Sequence, residues 1–210
     1  MCGSALRSTV TKPRQVAFDS RPEGHSHIFV VSAAGGAPRE LTTDNSNDIL
    51  PRWSADGKFI YFASNRDGAW QTWKVPAAGG QPQQVIMNGG YLAMESPDGK
   101  WLYFTKADDS GLWRMPSGGG PDTHILPQPA DGFWGYWAVT TSGIYFLDTS
   151  QSIWHIQFYE PATGKISTVA TLERHPPPYS GITIDRNEDQ LLLTDEVNAG
   201  SHINLVQNFP

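Results

Sequence analysis

The side chains through which this chain could ligate a metal or attack a substrate are six histidines, one cysteine and a scatter of carboxylates. His25 and His27 are alternate residues, and on an extended strand alternate side chains point the same way, so the pair could offer two imidazoles to one ion. No cysteine accompanies them and only Asp19 and Glu23 are nearby carboxylates, which leaves the bland reading of a loop histidine and a strand histidine. His124, His155, His175 and His202 are isolated in sequence. Nucleophilic catalysis would need an activated Ser or Cys. There is no Gly-x-Ser-x-Gly turn, and Cys2 sits at the chain start, while a Ser/His/Asp set assembled from distant loops is left open. Gly118-Gly119-Gly120 runs into Pro121 and a strand, with no Gly-Lys-Ser/Thr, and so does not read as a phosphate loop. Asp44, Asn45, Asn47 and Asp48 could present oxygens to Ca²⁺, but their spacing fits no EF-hand, and Asx-rich loops usually bond their own backbone. No catalytic residue, metal or cofactor is assigned.

The elements that would position any site are set by an internal repeat. Ser54-Ala-Asp-Gly-Lys-Phe-Ile-Tyr-Phe-Ala-Ser-Asn65 recurs as Ser96-Pro-Asp-Gly-Lys-Trp-Leu-Tyr-Phe-Thr-Lys-Ala107. An Asp-Gly turn followed by aromatic and β-branched residues is a hairpin leading into a strand. Fainter copies contain Phe18, Phe146 and Leu193, so that Phe18, Phe62, Phe104, Phe146 and Leu193 fall at steps of 44, 42, 42 and 47 residues. Third strands repeat as well, as His27-Ile-Phe-Val-Val31, Gln71-Thr-Trp-Lys-Val75 and Gly111-Leu-Trp-Arg-Met115, each leading to a Gly-rich turn. A period near 40–50 residues of strand and turn predicts an all-β fold, a β-propeller of five blades of four-stranded antiparallel sheets. The repeats fall at about 5–43, 44–90, 91–131, 132–175 and 176–210, as one propeller domain over 1–210, and the last is one strand short. Either the ring closes by side-chain packing or the chain is part of a longer propeller that self-associates through its open edge.

Composition agrees with this and excludes some functions. Eight Trp, 21 Gly and 16 Pro in 210 residues supply large inter-sheet side chains and many turns. A net charge of −6 with scattered Lys and Arg lacks the basic patch that nucleic-acid binding requires. No apolar run is long enough to span a membrane, and the first twenty residues lack the pattern of a signal peptide.

The run Trp53-Ser-x-Asp-Gly-Lys-x-Ile-Tyr-Phe-x-Ser-Asn65, followed by Trp73-Lys-Val75 and a Gly-Gly turn, resembles the WD40-like PD40 repeats of TolB-type propellers. The resemblance extends over essentially the whole chain. It weakens in the fourth repeat, with Thr-Thr-Ser-Gly143 in place of Ser-Pro-Asp-Gly, and in the fifth, with Asp185-Arg-Asn-Glu-Asp189. The whole is also similar to the C-terminal propeller of winged-helix regulators in soil bacteria. It implies a protein-binding platform, a sensor module or a non-catalytic cap on a peptidase, in a family often periplasmic, and it transfers no catalytic residue.

In a propeller the first strand of each blade lines a central channel, and the loops into those strands open on one face. Phe133-Trp134-Gly135-Tyr136-Trp137 and the equivalent Trp53, Tyr91 and Tyr179 stand at such positions. Trp134, Tyr136, Tyr91, Glu95, Arg52 and Tyr179 are therefore expected to rim one ligand-binding pocket, an apolar wall with a few charged groups. The expected function is non-catalytic recognition of a protein, a peptide or a small ligand at the channel mouth. A propeller hydrolase or lyase with a channel-mouth site is the alternative.

Overall fold

Asp56 and Asp98 tie the two strongest repeats from inside their turns. Ser54 Oγ donates to Asp56 Oδ1 at 2.8 Å and accepts from the Phe59 amide at 2.9 Å, while the Lys58 amide donates to the same Oδ1 at 2.9 Å. Forty-two residues on, Ser96, Asp98, Lys100 and Trp101 form the same three bonds at 2.5, 3.1 and 3.0 Å. Gly57 and Gly99 both sit at φ +70°, a left-handed conformation that glycine adopts without steric cost. The bonds from the Lys58 amide and the Ser54 hydroxyl hold the Asp56 carboxyl down to about 2. Asp98 is held at about 2 by the Ser96 hydroxyl and then the Lys100 amide.

The computed structural model describes residues 15–21, 24–185, 187–197 and 200–207. Among them there is no helix, and the strands form five antiparallel sheets. The first holds β1 (Gln15–Ser20), β2 (His27–Ser32) and β3 (Arg39–Glu40). The second holds β4 (Asp48–Trp53), β5 (Phe59–Ser64), β6 (Gln71–Pro76) and β7 (Gln83–Ile86). The third holds β8 (Gly90–Glu95), β9 (Trp101–Lys106), β10 (Leu112–Pro116) and β11 (Thr123–Leu126). In the fourth are β12 (Trp137–Val139), β13 (Ile144–Asp148), β14 (His155–Glu160) and β15 (Lys165–Thr171). The fifth has three strands, β16 (Ile182–Ile184), β17 (Gln190–Val197) and β18 (Gly200–Gln207). The start of the first repeat, residues 5–14, lies outside the described residues. Each sheet pairs its strands in chain order, the arrangement of a propeller blade.

Second strands explain how the sheets stack. On β5, Ile60 and Phe62 pack with Ile28, Val30 and Leu41 of the first sheet, while Tyr61 points the other way into the third. On β9, Leu102 and Phe104 face back towards the second sheet and Tyr103 faces the fourth. On β13, Ile144 and Phe146 face back, and Tyr145 and Leu147 face the fifth sheet. This is the two-residue period of an extended chain with both faces covered. Phe62 and Phe104 are fully buried between sheets. Each fully buried ring of this size contributes roughly 1.5–3 kcal/mol.

The fourth and fifth sheets are also joined through backbone. Gly135 and Gly181 form an isolated parallel bridge, and the Ile182 amide donates to the Gly135 carbonyl at 3.1 Å. A Cβ on Gly135 would lie 2.1 Å from the Ser180 carbonyl oxygen, so glycine is the residue that fits.

Two outcomes follow from these contacts. Gly135→Ala lowers stability by roughly 1–3 kcal/mol, the usual cost of overpacking. Gly118→Ala, whose Cβ would meet nothing within 4 Å, stays within about 0.5 kcal/mol of the parent. Denaturant midpoints measure both, and equal midpoints would remove the bridge from the account. For the turns, Asp56 and Asp98 are more acidic folded than the ordinary value of about 3.9. Their stabilisation is present above about pH 4 and is lost as pH falls through about 2. Carboxyl-carbon NMR titration should give native midpoints near 2 for both, rising towards ordinary values in Ser54→Ala and Ser96→Ala respectively.

Candidate functional site

The first strands β4, β8, β12 and β16 pack against one another in turn and form the inner edge of the blades, along the channel. Their far ends carry Trp53, Glu95, Val139 and Ile184, which together with Asp185 and Glu188 surround a cavity of about 510 Å³. This is one mouth of the channel, on the side of the Asp-Gly turns. Asp185 caps its own turn, and the other two carboxylates tie blades together. Glu95 accepts from the Tyr61 hydroxyl and, at 2.8 Å, from the Ala55 amide of the neighbouring blade. Glu188 accepts from the hydroxyl and amide of Ser142, and so supplies from the fifth sheet the carboxylate that the fourth repeat's own turn lacks.

The opposite mouth, where the first strands begin, is aromatic. Trp70, Tyr91, Trp134 and Tyr179 form a continuous run, with ring centroids 5.5, 5.0 and 5.6 Å apart along it. Trp70 comes from the loop between β5 and β6, Tyr91 from the start of β8, and Trp134 and Tyr179 from the segments leading into β12 and β16. The Trp134 segment is fixed by turn bonds. Trp137 Nε1 donates to the Trp134 carbonyl at 2.7 Å, and the Tyr179 amide donates to the Gly132 carbonyl at 2.9 Å. Trp134 Nε1 is buried with no hydrogen-bond partner among the described residues. Tyr179 is 77% exposed and holds φ at +62°, a conformation that costs a bulky residue of order 1–3 kcal/mol.

Of the six residues expected at one rim, the structure gathers Tyr91, Trp134 and Tyr179. Tyr136 is not at the rim. It is fully buried between the fourth and fifth sheets, where its hydroxyl donates to the Pro177 carbonyl at 2.7 Å. The turn closed by the Tyr136 amide on the Phe133 carbonyl at 2.9 Å, rather than strand alternation, sends Tyr136 inward and Trp134 to the rim. Glu95 is at the other mouth, because β8 runs the depth of the channel from Tyr91 to Glu95. Arg52 lies on β4, half-buried, with Nη1 donating to the adjacent Pro51 carbonyl at 3.0 Å. Burial lowers its pKa and the charge of Asp19 opposes that shift. The Tyr91 phenol is pushed up by burial first, then by Tyr179 and Asp19. Asp19 therefore acts on both Arg52 and Tyr91. Sequence reasoning missed Trp70 and Asp19. The signal for Trp70 was a tryptophan two residues past the polar turn Asn65-Arg-Asp-Gly68, where a buried role is unexpected.

The other chemistry-bearing residues are occupied by structural contacts. Arg66 binds both carboxylates of the oxygen-rich loop, with Nη1 3.1 Å from Asp44 Oδ2 and Nη2 3.0 Å from Asp48 Oδ2, and lies over the Trp73 ring at 4.7 Å. His27 Nδ1 is 2.6 Å from Glu40 Oε1, and His25 is exposed. His124 packs on Trp113, His155 meets Thr171 Oγ1 at 3.2 Å, and His175 stacks on Trp154 at 3.9 Å. Among the described residues no three His, Cys, Asp or Glu side chains come together as a metal site.

The PD40 family, described as the TolB beta propeller domain, matches residues 11–122, more than half of the chain. This chain belongs to the PD40 family of TolB β-propellers. The sheets beyond residue 122 continue the same plan in this PD40 propeller. An uncharacterized protein of Agrobacterium fabrum is 29% identical over 96 residues, which is 44% of this chain and 32% of that protein. Dipeptidyl-peptidase 5 of Porphyromonas gingivalis is 38% identical over 81 residues, covering 38% of this chain and 12% of that enzyme. The crystal structure of TolB from Acinetobacter baumannii superposes with a TM-score of 0.72 at 17% identity, over 92% of this chain and 49% of that one. The PD40 propeller thus spans half or less of each of these proteins.

The aromatic mouth has a spectroscopic signature. In an alkaline ultraviolet titration, Tyr91→Phe should remove a phenol whose midpoint lies above the ordinary value of about 10. A lost phenol titrating at or below that value would mean that Tyr91 is neither buried nor beside a second phenol.

Proposed function

We propose that this PD40 propeller is a non-catalytic binding module that takes a protein or peptide segment at its aromatic mouth. The observation that carries the reading is the run Tyr91–Trp134–Tyr179, whose last ring is 77% exposed on a backbone held at φ +62°. Strained backbone that presents a large ring to solvent lowers stability without improving the core, and such positions cluster at binding and active sites. Rigid tyrosine and tryptophan rings supply large contact area at small entropic cost, which is why they dominate binding hot spots. Membership of a TolB family supports a binding role.

The stretch similar to dipeptidyl-peptidase 5 supports a second reading, in which the propeller accompanies a catalytic unit and receives the peptide that unit acts on. Both readings place a peptide on the same rings.

A random peptide library displayed on phage and selected on the immobilised chain tests this. Selected peptides should bind Trp134→Ala/Tyr179→Ala at least about tenfold more weakly, or about 1.4 kcal/mol. The thermal transition of the double variant should show that it still folds. Peptides that bind parent and variant equally would sink the aromatic mouth as the site.

A further inference from the structure

We propose that Arg114 is the anchor of a second binding site, between the third and fourth blades, which takes a carboxylate. The site lies on the Asp-Gly-turn side of the ring and does not depend on the aromatic mouth. A cavity of about 380 Å³ opens there, bounded by Trp101, Tyr103 and Arg114 on one side and by Thr140, Thr141 and Ser142 on the other. Arg114 is on β10, opposite Tyr103 of β9. Its guanidinium carbon lies 4.1 Å from the centre of the Trp101 ring. Stacking on an indole covers one face of the guanidinium plane and fixes its orientation, leaving the N–H edges to make contacts.

Those edges are unused. Among the described residues Arg114 has no ion-pair partner, and its Nε is buried without a hydrogen-bond acceptor. The guanidinium is thus held by its stacking on Trp101 while its positive charge is matched by no carboxylate among the described residues. Asp98, the carboxylate that also borders the cavity, is committed to the Ser96 hydroxyl, the Lys100 amide and the Lys100 ammonium.

Geometry selects the ligand class. An immobilised guanidinium that lines the cavity offers its two Nη groups end-on, two parallel N–H donors at the spacing of a carboxylate's two oxygens. Thr141 borders the cavity from the facing blade and stands as a further polar group beside such a ligand. The equivalent place in the second blade carries Lys74, 4.8 Å from the centre of the Phe59 ring. Lysine has no paired donors, so the fork is confined to the cavity of the third blade.

The test is an NMR titration of ¹⁵N-labelled chain with N-acetylaspartate amide at constant ionic strength, following the Arg114 Nε–H and Trp101 indole signals. The expected result is saturable movement of both, and at least a tenfold loss of affinity in Arg114→Lys, which keeps the charge and loses the fork. A linear response that sodium chloride reproduces, or equal affinity in Arg114→Lys, would overturn the site. Saturation by inorganic phosphate more tightly than by the aspartate probe would overturn the assignment to a carboxylate. Should Arg114→Lys fail to fold, the titration of the parent decides, since an Arg114 signal that does not saturate is sufficient to reject the proposal.

Discussion

No interior sheet of this ring has a solvent face, and that constraint governs the rest of the structure. A sheet packed on both sides must divide its side chains between two neighbours, and a two-residue period does so automatically. Phe62, Phe104 and Phe146 point back and Tyr61, Tyr103 and Tyr145 point forward, so the second–third and third–fourth interfaces each receive tyrosine from one sheet and phenylalanine from the next. The tyrosine hydroxyl is what makes this division directional. Tyr61 ends against Glu95 of the following sheet, which places a polar bond at the channel end of an otherwise apolar seam.

Packing alone fixes the distance between sheets but leaves them free to slide. The polar contacts that cross between blades remove that freedom. Glu95 reaches back to the Ala55 amide, Glu188 reaches back to Ser142, and Arg39 Nη2 reaches forward to the Ala77 carbonyl at 2.5 Å. The first two cluster at one mouth and account for its acidity. The opposite mouth is tied through backbone carbonyls instead, by the Tyr179 amide on Gly132 and the Thr72 hydroxyl on Tyr91, and there the rings accumulate. The two ends of the channel differ in chemistry, with carboxylates at one and aromatic rings at the other.

The fold was legible because its signal is periodic. The Asp-Gly turns, the Phe steps and the Gly-rich hairpins each recur, and the structure places strands where those signals fall. The site was less so. Alternation could say that about half of Trp134, Tyr136, Tyr91, Glu95, Arg52 and Tyr179 would turn inward, but not which half. Tyr136 went to the core because the bend at Gly135 reverses the local direction, and that bend depends on Gly181, 46 residues away. Glu95 was grouped with Tyr91 because four residues seem close in sequence, whereas on a strand they are separated by most of the channel's depth. Trp70 was missed because it belongs to a second-to-third-strand loop, and the repeat analysis followed only the loops into first strands. Glu188 could not be read as the missing turn carboxylate of another repeat, since nothing local marks a contact made in trans.

The Gly135–Gly181 bridge bears on how such a ring can grow. In the two preceding sheets the places that correspond to Gly181 in the ladders are held by Tyr136 and Leu92, whose side chains exclude an approach of two backbones. The contact therefore joins one particular pair of blades. Duplication can lengthen a propeller wherever neighbouring blades meet only through interchangeable apolar faces. Inserting a copy between the fourth and fifth blades would separate the two glycines and strand both.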